Sequence, residues 1–334
     1  MHTLTLTPRE AARLLAETHG LKASEPLVPL GSELASTFHA TIGTREVAVK
    51  LQASSPKELA VQRWRAAVAS RLSAQGHPVP STLPARDGTI VGTITHNGGE
   101  VAITVSEWIA GTPYGELGEQ LDTVAFGLAL GSAAARLQAT LVGAQRPPRP
   151  IQHPWAAHTM AETITAHLPR ITDATIAEIA ASALDLLERV VAPVVAELPN
   201  TLVHQDLHDS NVLADADGGI AAFIDFDDML VGWRVAEPAI AAAYLARHTD
   251  DPRAAVDAVA AGWEAALPFA EAERRAYRAL VLARLALNAV IWHVRAGDGG
   301  TGDDRAVYGE LRSAGTEHTF HALLTDGWAE EELA

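Results

Sequence analysis

The sequence contains no cysteine. Disulfides and thiolate metal sites are therefore excluded, and redox chemistry leaves the compartment open. A run of about 18 uncharged apolar residues is also missing, so no membrane span is expected. The N-terminal stretch MHTLTLTPREAARLLAETHG is too interrupted by charge to read as a signal peptide. Basic side chains are scarce: 25 Lys and Arg stand against 41 Asp and Glu, a formal charge of −16. Such a surface repels a phosphate backbone, which argues against nucleic acid as a partner, and it tolerates or attracts a small cation. Most of these carboxylates read as solvated exterior. A soluble cytoplasmic protein is the expectation, and the composition is silent on oligomeric state.

What is present is ordinary globular material. The 334 residues are 48% apolar and 20% charged, long for one core and comfortable for two. Thr7 and Pro8 open an N-terminal helix. Residues 37–42 and 46–51 alternate as a hairpin around Gly-Thr-Arg, and 89–95 and 101–109 as another around Asn97-Gly98-Gly99. Between the hairpins, 57–75 is helical and is stopped by Gly76 and Pro78. Beyond Gly111 the composition turns to alanine and leucine at helical spacing. Helices are expected at 121–141 and 172–197, and three more between about 235 and 296, with a Pro-rich connector at 146–150. A flexible loop is expected at 297–302 and a frayed acidic end after Asp326. The domains are thus 1–110, a small β-rich lobe, and 111–334, a larger helical lobe. The fold class is α+β.

One β-rich island, TLVHQDLHDSNVLADADGGIAAFIDFDD at 201–228, interrupts the helices. It places Asp206, Asn211 and Asp225 at strand ends. Oxygen donors of this kind suit Mg²⁺, which keeps several waters and takes one or two protein carboxylates beside substrate phosphates. H-x-D-x-x-x-x-N, followed 19 residues after its Asp by I-D-F-D, resembles the catalytic and metal-binding loops of the aminoglycoside phosphotransferase family, relatives of the protein kinases. The resemblance implies a protein-kinase-like bilobal fold, ATP and Mg²⁺ as cofactors, and transfer of a γ-phosphoryl group to a hydroxyl. It also implies that Asp206 is the catalytic base, Asn211 and Asp225 are metal ligands, and His204 is a scaffold residue. His208 matches a second histidine frequent in such enzymes.

Upstream motifs extend the resemblance. Val47-Ala48-Val49-Lys50 is similar to the V-A-I-K strand of kinases, and alternation puts Ala48 and Lys50 on one face. Ala48 would pack on adenine and Lys50 would hold the phosphates. Thr104 to Gly111 looks like the family's interlobe hinge, with the Glu107 carbonyl and Ile109 amide on the base. The phosphate loop, Leu30 to Phe38, departs from the pattern: Gly31 is its only glycine, so Gly31 and Ser32 are the candidates there. The helix acid that pairs with Lys50 is expected at Glu58, with Gln62 as a neutral alternative. The metal motif reads Asp-Phe-Asp, which leaves Asp227 and Asp228 to metal, substrate or capping.

Residues 224–246 and 261–292 resemble hydroxylysine kinases within the family, which implies a small amino-containing alcohol or amino acid as acceptor, while the helical insertion at 112–170 leaves an aminoglycoside or amino sugar as the alternative. Asp209, Asp228 and Glu237 are candidates for an acceptor ammonium. Arg234 is the candidate for a carboxylate. Three other readings stand beside this one. His204-Gln205-Asp206-Leu207-His208 is the H-x-D-x-H string of a metallohydrolase, which would need neither Asn211 nor Lys50. A stress-response protein Ser/Thr kinase shares the IDFDD-like motif. A nucleotide-binding pseudokinase is disfavoured by the intact Asp206, Asn211 and Asp225.

Overall fold

The computed structural model describes residues 4–30, 35–297 and 313–333. The chain divides into two compact units. The first comprises Met1–Gly111 with Gln145–Arg149 and Ala221–Asp227; the second holds the remainder. The two later segments of the first unit were expected with the helical lobe. Hydrogen bonds explain their placement: Trp64 Nε1 donates to the Gln145 carbonyl (2.7 Å), and the Phe223 amide donates to the Pro78 carbonyl (2.7 Å).

The first unit starts with α1 (Pro8–His19), closed at its N-terminus by a capping box between Thr7 and Glu10. An antiparallel sheet follows, built from β1 (Val28–Leu30), β2 (Ser36–Ile42), β3 (Arg45–Ser54), β4 (Thr82–Leu83), β5 (Gly92–His96) and β6 (Gly99–Glu107). β3 lies between β2 and β6, and both β4 and β5 pair with the other edge of β6. The β5–β6 turn is Asn97-Gly98, both at positive φ (50° and 80°), as a two-residue primed turn requires. Strict alternation on β3 sends Val47, Val49 and Leu51 into the core beneath α1, all fully buried, and leaves Ala48, Lys50, Gln52 and Ser54 on the opposite face. α2 (Pro56–Ala74) begins at a second capping box, Ser55 with Glu58.

The second unit is mainly helical: α3 (Thr123–Leu141), α4 (Met160–His167), α5 (Ala174–Leu186), α6 (Ala236–Leu245), α7 (Pro252–Ala266), α8 (Glu271–Gly297) and α9 (Thr316–Leu323). β7 (Thr112–Pro113) pairs with β9 (Val212–Ala214), and β8 (Asn200–Val203) pairs with β11 (Leu230–Trp233). The remaining strand, β10 (Ile220–Phe223), belongs from Ala221 onward to the first unit and leads into Asp225. The helix expected over 172–197 ends as α5 at Leu186 and continues as a π turn and a 3₁₀ turn. Pro193, which has no N–H to give, accounts for the break.

The segment after Asp326, expected to fray, is packed at Trp328 and Ala329. Trp328 is buried, with the guanidinium groups of Arg278 and Arg253 at 4.7 and 5.8 Å from its ring. Apart from Gly297, the loop expected at 297–302 lies outside the described residues. α3 and α8 are long and apolar enough to cross a membrane, but 56% and 78% of their apolar windows are buried within the fold, as in core helices.

α3 and α7 meet through glycines. A Cβ on Gly131 would stand 2.1 Å from the Val259 carbonyl oxygen, and one on Gly262 would stand 2.2 Å from that of Leu128. Backbone meets backbone there, so no side chain can yield. Gly131→Ala is expected to destabilise the protein by about 1–3 kcal/mol or more, read as a lower urea midpoint at an unchanged slope.

Candidate active site

Two polar centres gather the residues singled out from the sequence, one in each unit. In the first unit, Lys50 projects from the non-core face of β3, beside half-buried Ala48. Its Nζ lies 2.9 Å from Asp225 Oδ1 and 2.9 Å from Asp227 Oδ2. Asp225 follows β10 in the left-handed region (φ 59°), a conformation Asp tolerates better than most residues. Asp227 lies in the next turn, and its amide reaches Asp225 Oδ1 at 3.3 Å. Burial disfavours the Lys50 ammonium, but the two carboxylates outweigh it and hold the lysine pKa above its usual value. Burial pushes Asp227 up, and the nearby Lys50 and Arg65 charges bring it below the usual carboxylate value. Both groups are charged at neutral pH.

Neither expected helix partner touches Lys50. Glu58 is consumed by the α2 cap, where its Oε2 accepts from the Ser55 amide (2.8 Å). Gln62 instead bonds Ser54 and Gln52. β6 ends at Glu107, whose amide donates to the Ser81 carbonyl, while the Trp108 amide donates to that of Glu46. The Ile109 amide makes no hydrogen bond among the described residues. Gly31 and Ser32 lie outside the described residues.

The second centre is the loop between β8 and β9. Its backbone folds on itself: His208 N donates to Asp206 O, and Asn211 N to His208 O, both at 2.9 Å. Gln205 is buried at φ 75°. Its amide donates to Glu237 Oε1 (2.6 Å) and its Nε2 to the Trp155 carbonyl (3.1 Å), which together offset the strain. Asp206 is held at both carboxylate oxygens. Oδ2 accepts from Asn211 Nδ2 (2.9 Å) and faces His208 Nε2 (3.2 Å), and Oδ1 accepts from Arg284 Nη2 (3.2 Å). His208 Nδ1 accepts from the Ser210 amide (3.0 Å), which puts the ring proton on Nε2, facing Asp206. Asn211 Nδ2 also donates to the Asp206 carbonyl (3.0 Å), so both amide protons are spent on Asp206 and its oxygen is left for a cation.

Arg284 was not singled out from the sequence. It is a buried residue of α8 that also donates to the Trp155 carbonyl (3.0 Å) and sits over the Trp155 and Tyr244 rings at 4.9 and 5.4 Å. Its signal was a lone arginine in the apolar run LVLARLALNAVIW. Such a charge must be paired.

Three of the four proposed acceptor residues are structural. Glu237 is 1% exposed and supports the Gln205 turn. Arg234 forks onto Glu273 and bonds the Pro268 carbonyl. Asp209 is 7% exposed, its carboxylate held by His248 (3.1 Å) and Arg247 (3.5 Å) and its carbonyl by the Gly115 amide (3.2 Å). Asp228 has the most exposed side chain of the four (31%), with His153 Nε2 at 3.4 Å. Among the described residues no three His, Asp or Glu side chains group as metal ligands. The two histidines of the H-x-D-x-H string are instead turned to the loop itself, His204 Nδ1 accepting from the Asp206 amide at 3.3 Å. Each unit holds one oxygen donor of the expected pair, the Asn211 amide oxygen in the second and the Asp225 carboxylate in the first. Oxygen donors of this type suit a hard divalent ion.

A strand lysine paired to an Asp after a later strand, with an Asp and Asn on one loop, defines a kinase-like phosphotransferase. The phosphotransferase enzyme family (APH) matches residues 26–280, and the chain belongs to it. It is a small-molecule phosphotransferase by class. Similar proteins include hydroxylysine kinase of Bos taurus, 25% identical over 84% of this chain and 80% of that one. Hydroxylysine kinase of Danio rerio is 32% identical over 32% of each, so the chain aligns with about a third of that relative's length. Among solved structures, an amicoumacin kinase in complex with AMP-PNP and Ca²⁺ superposes with a TM-score of 0.68 at 17% identity, covering 93% of this chain and 95% of that one. A microcompartment-associated aminopropanol kinase gives 0.67 at 18%, covering 95% and 98%. The fold is protein-kinase-like.

Glu237 supplies a pH test. Burial outweighs its backbone hydrogen bonds and pushes its pKa from 4.5 up to about 7. The folded state therefore binds more protons than the unfolded state between about 4.5 and 7, and stability falls as pH rises through that window. Glu237→Gln keeps an acceptor for Gln205 and removes the titration. The variant's urea midpoint is expected to be flatter across this range than that of the parent protein.

Proposed function

We propose that the protein uses ATP and Mg²⁺ to phosphorylate a hydroxyl of a small, amino-containing acceptor, of the kind represented by hydroxylysine, amino alcohols or amino sugars. The observation that carries this reading is the 2.9 Å contact of Lys50 with Asp225, which joins motifs 175 residues apart. Lys50 binds the nucleotide phosphates, and the carbonyl of Glu107 and unbonded amide of Ile109 serve adenine beside Ala48. Asn211 and Asp225 would hold Mg²⁺, which when bound neutralises charge on the phosphates. Asp206 accepts the acceptor's hydroxyl proton at a carboxylate oxygen. In a loose phosphoryl-transfer transition state the base contributes largely through orientation, and Asn211, His208 and Arg284 fix that orientation.

Several facts support an amino-containing acceptor. The Bos taurus relative is a hydroxylysine kinase and a structural neighbour is an aminopropanol kinase. The net charge of −16 favours a cation, and Asp228 keeps exposed carboxylate surface. The same reading places the protein in the cytoplasm, where ATP is available.

The test is ADP release with Mg²⁺ across hydroxylysine, amino alcohols, amino sugars, aminoglycosides and a generic peptide, with the product confirmed by mass. Release dependent on an amino-containing small molecule is expected; release with the peptide alone would overturn the acceptor assignment. Asp206→Asn should lower kcat by about 10²–10⁴ while leaving the ATP dissociation constant nearly unchanged. Lys50→Ala should raise the KM for ATP; an unaltered value would remove Lys50 from the nucleotide site.

A further inference from the structure

The first unit lacks the ion pair expected between Lys50 and α2, and something else must fix the lysine. Asp225 alone does not suffice, because its carboxylate is also the one offered to a cation. Asp227 is the second carboxylate on Lys50, at 2.9 Å. It is itself held by Gln52, whose Nε2 donates to Asp227 Oδ2. Gln52 Oε1 in turn accepts from Gln62 Nε2 on α2 (2.8 Å), and Gln62 Oε1 accepts from Ser54 Oγ (3.0 Å). Lys50, Gln52 and Ser54 alternate along one face of β3, so strand geometry aligns three of the members.

The direction of this chain is fixed by chemistry rather than by the choice of amide orientation. A carboxylate only accepts hydrogen bonds, so the end of Gln52 facing Asp227 is its NH₂ and the far end is its carbonyl. Gln62 must therefore donate to Gln52, which turns its own carbonyl to the Ser54 hydroxyl. Each bond orients the next, and the sequence ends on a charged pair.

We propose that Asp227 is the fixed counter-charge of the phosphate-binding lysine, and that Gln52 and Gln62 are positioning residues tying α2 to it through this directional chain. The inference rests on the kinase reading above. It explains why the helix needs no acid facing Lys50, and it gives the second Asp of Asp-Phe-Asp a role distinct from that of the first. Asp225 is then available to a cation without releasing the lysine.

The experiment measures ADP binding, the KM for ATP, kcat and the Mg²⁺ dependence of the full chain, with thermal melts to confirm folding. Gln62→Met, which keeps the volume and removes the link, should raise the ATP KM about three- to tenfold, the effect of one lost hydrogen bond. The acceptor KM should not move. Gln62→Glu should do more. Its carboxylate cannot donate, so Gln52 must present NH₂ to it and turn a carbonyl against Asp227. Asp227→Asn should raise the ATP KM by about ten- to a hundredfold at saturating Mg²⁺. Parental KM values in both Gln62 variants would overturn the proposal. So would an Asp227→Asn defect abolished by added Mg²⁺, which would make Asp227 a metal ligand. A parent protein that binds no ADP would overturn the kinase reading and this proposal together, whereas a parent and variants that bind it equally would overturn the proposal alone.

Discussion

An ammonium held between two carboxylates organises the first unit. Lys50 lies on a strand whose other face buries Val47, Val49 and Leu51, and its charge needs compensation wherever it leaves bulk water. Asp225 and Asp227 arrive from a segment that the sequence places far downstream, and the backbone bond from Phe223 to Pro78 secures that segment to the unit. Removing either carboxylate would leave part of a half-buried charge uncompensated, so this pair couples the fold of the unit to its chemistry. The positive φ of Asp225 belongs to the same constraint: the chain turns there to bring two acids, two residues apart, onto one lysine.

The second unit applies the opposite arrangement to Asp206. Here the carboxylate is central, and its surroundings are donors contributed by Asn211, His208 and Arg284. Two of them come from the loop itself, and Arg284 comes from α8. Glu237 completes the support by bonding Gln205 from below, at the cost of keeping a carboxyl in a buried site that favours its neutral form. Stability and geometry conflict at that residue, and geometry has prevailed.

The parts legible in the sequence were those governed by local chemistry. The Thr7-Pro8 helix start, the Asn97-Gly98 turn and the β3 alternation each have short-range causes, and the loop residues have fixed spacing. Long-range partnership was not legible. Glu58 and Gln62 occupy similar positions relative to Lys50 in the linear pattern, but the Ser55 cap claims the glutamate and the strand amides claim the glutamine. Arg284 lies 78 residues beyond Asp206, and only its isolation in an apolar helix marked it. The π and 3₁₀ turns after α5 could have been anticipated from Pro193, since the missing N–H is a local fact.

The same distinction bears on acceptor recognition. Charged residues near a reactive loop attract attention because they resemble ligands for a substrate, yet a loop that must hold one aspartate rigid needs charged supports of its own. Asp209 satisfies His248 and Arg247, Glu237 satisfies Gln205, and Arg234 satisfies Glu273. A group saturated by internal partners would have to lose them before it bound anything else, and the unpaired partner would then carry the desolvation cost. Asp228 differs in exposure: 31% of its side chain meets solvent, beside His153 Nε2 at 3.4 Å. Under the function proposed above, an acceptor ammonium would meet that exposed carboxylate surface more readily than it would the enclosed acids.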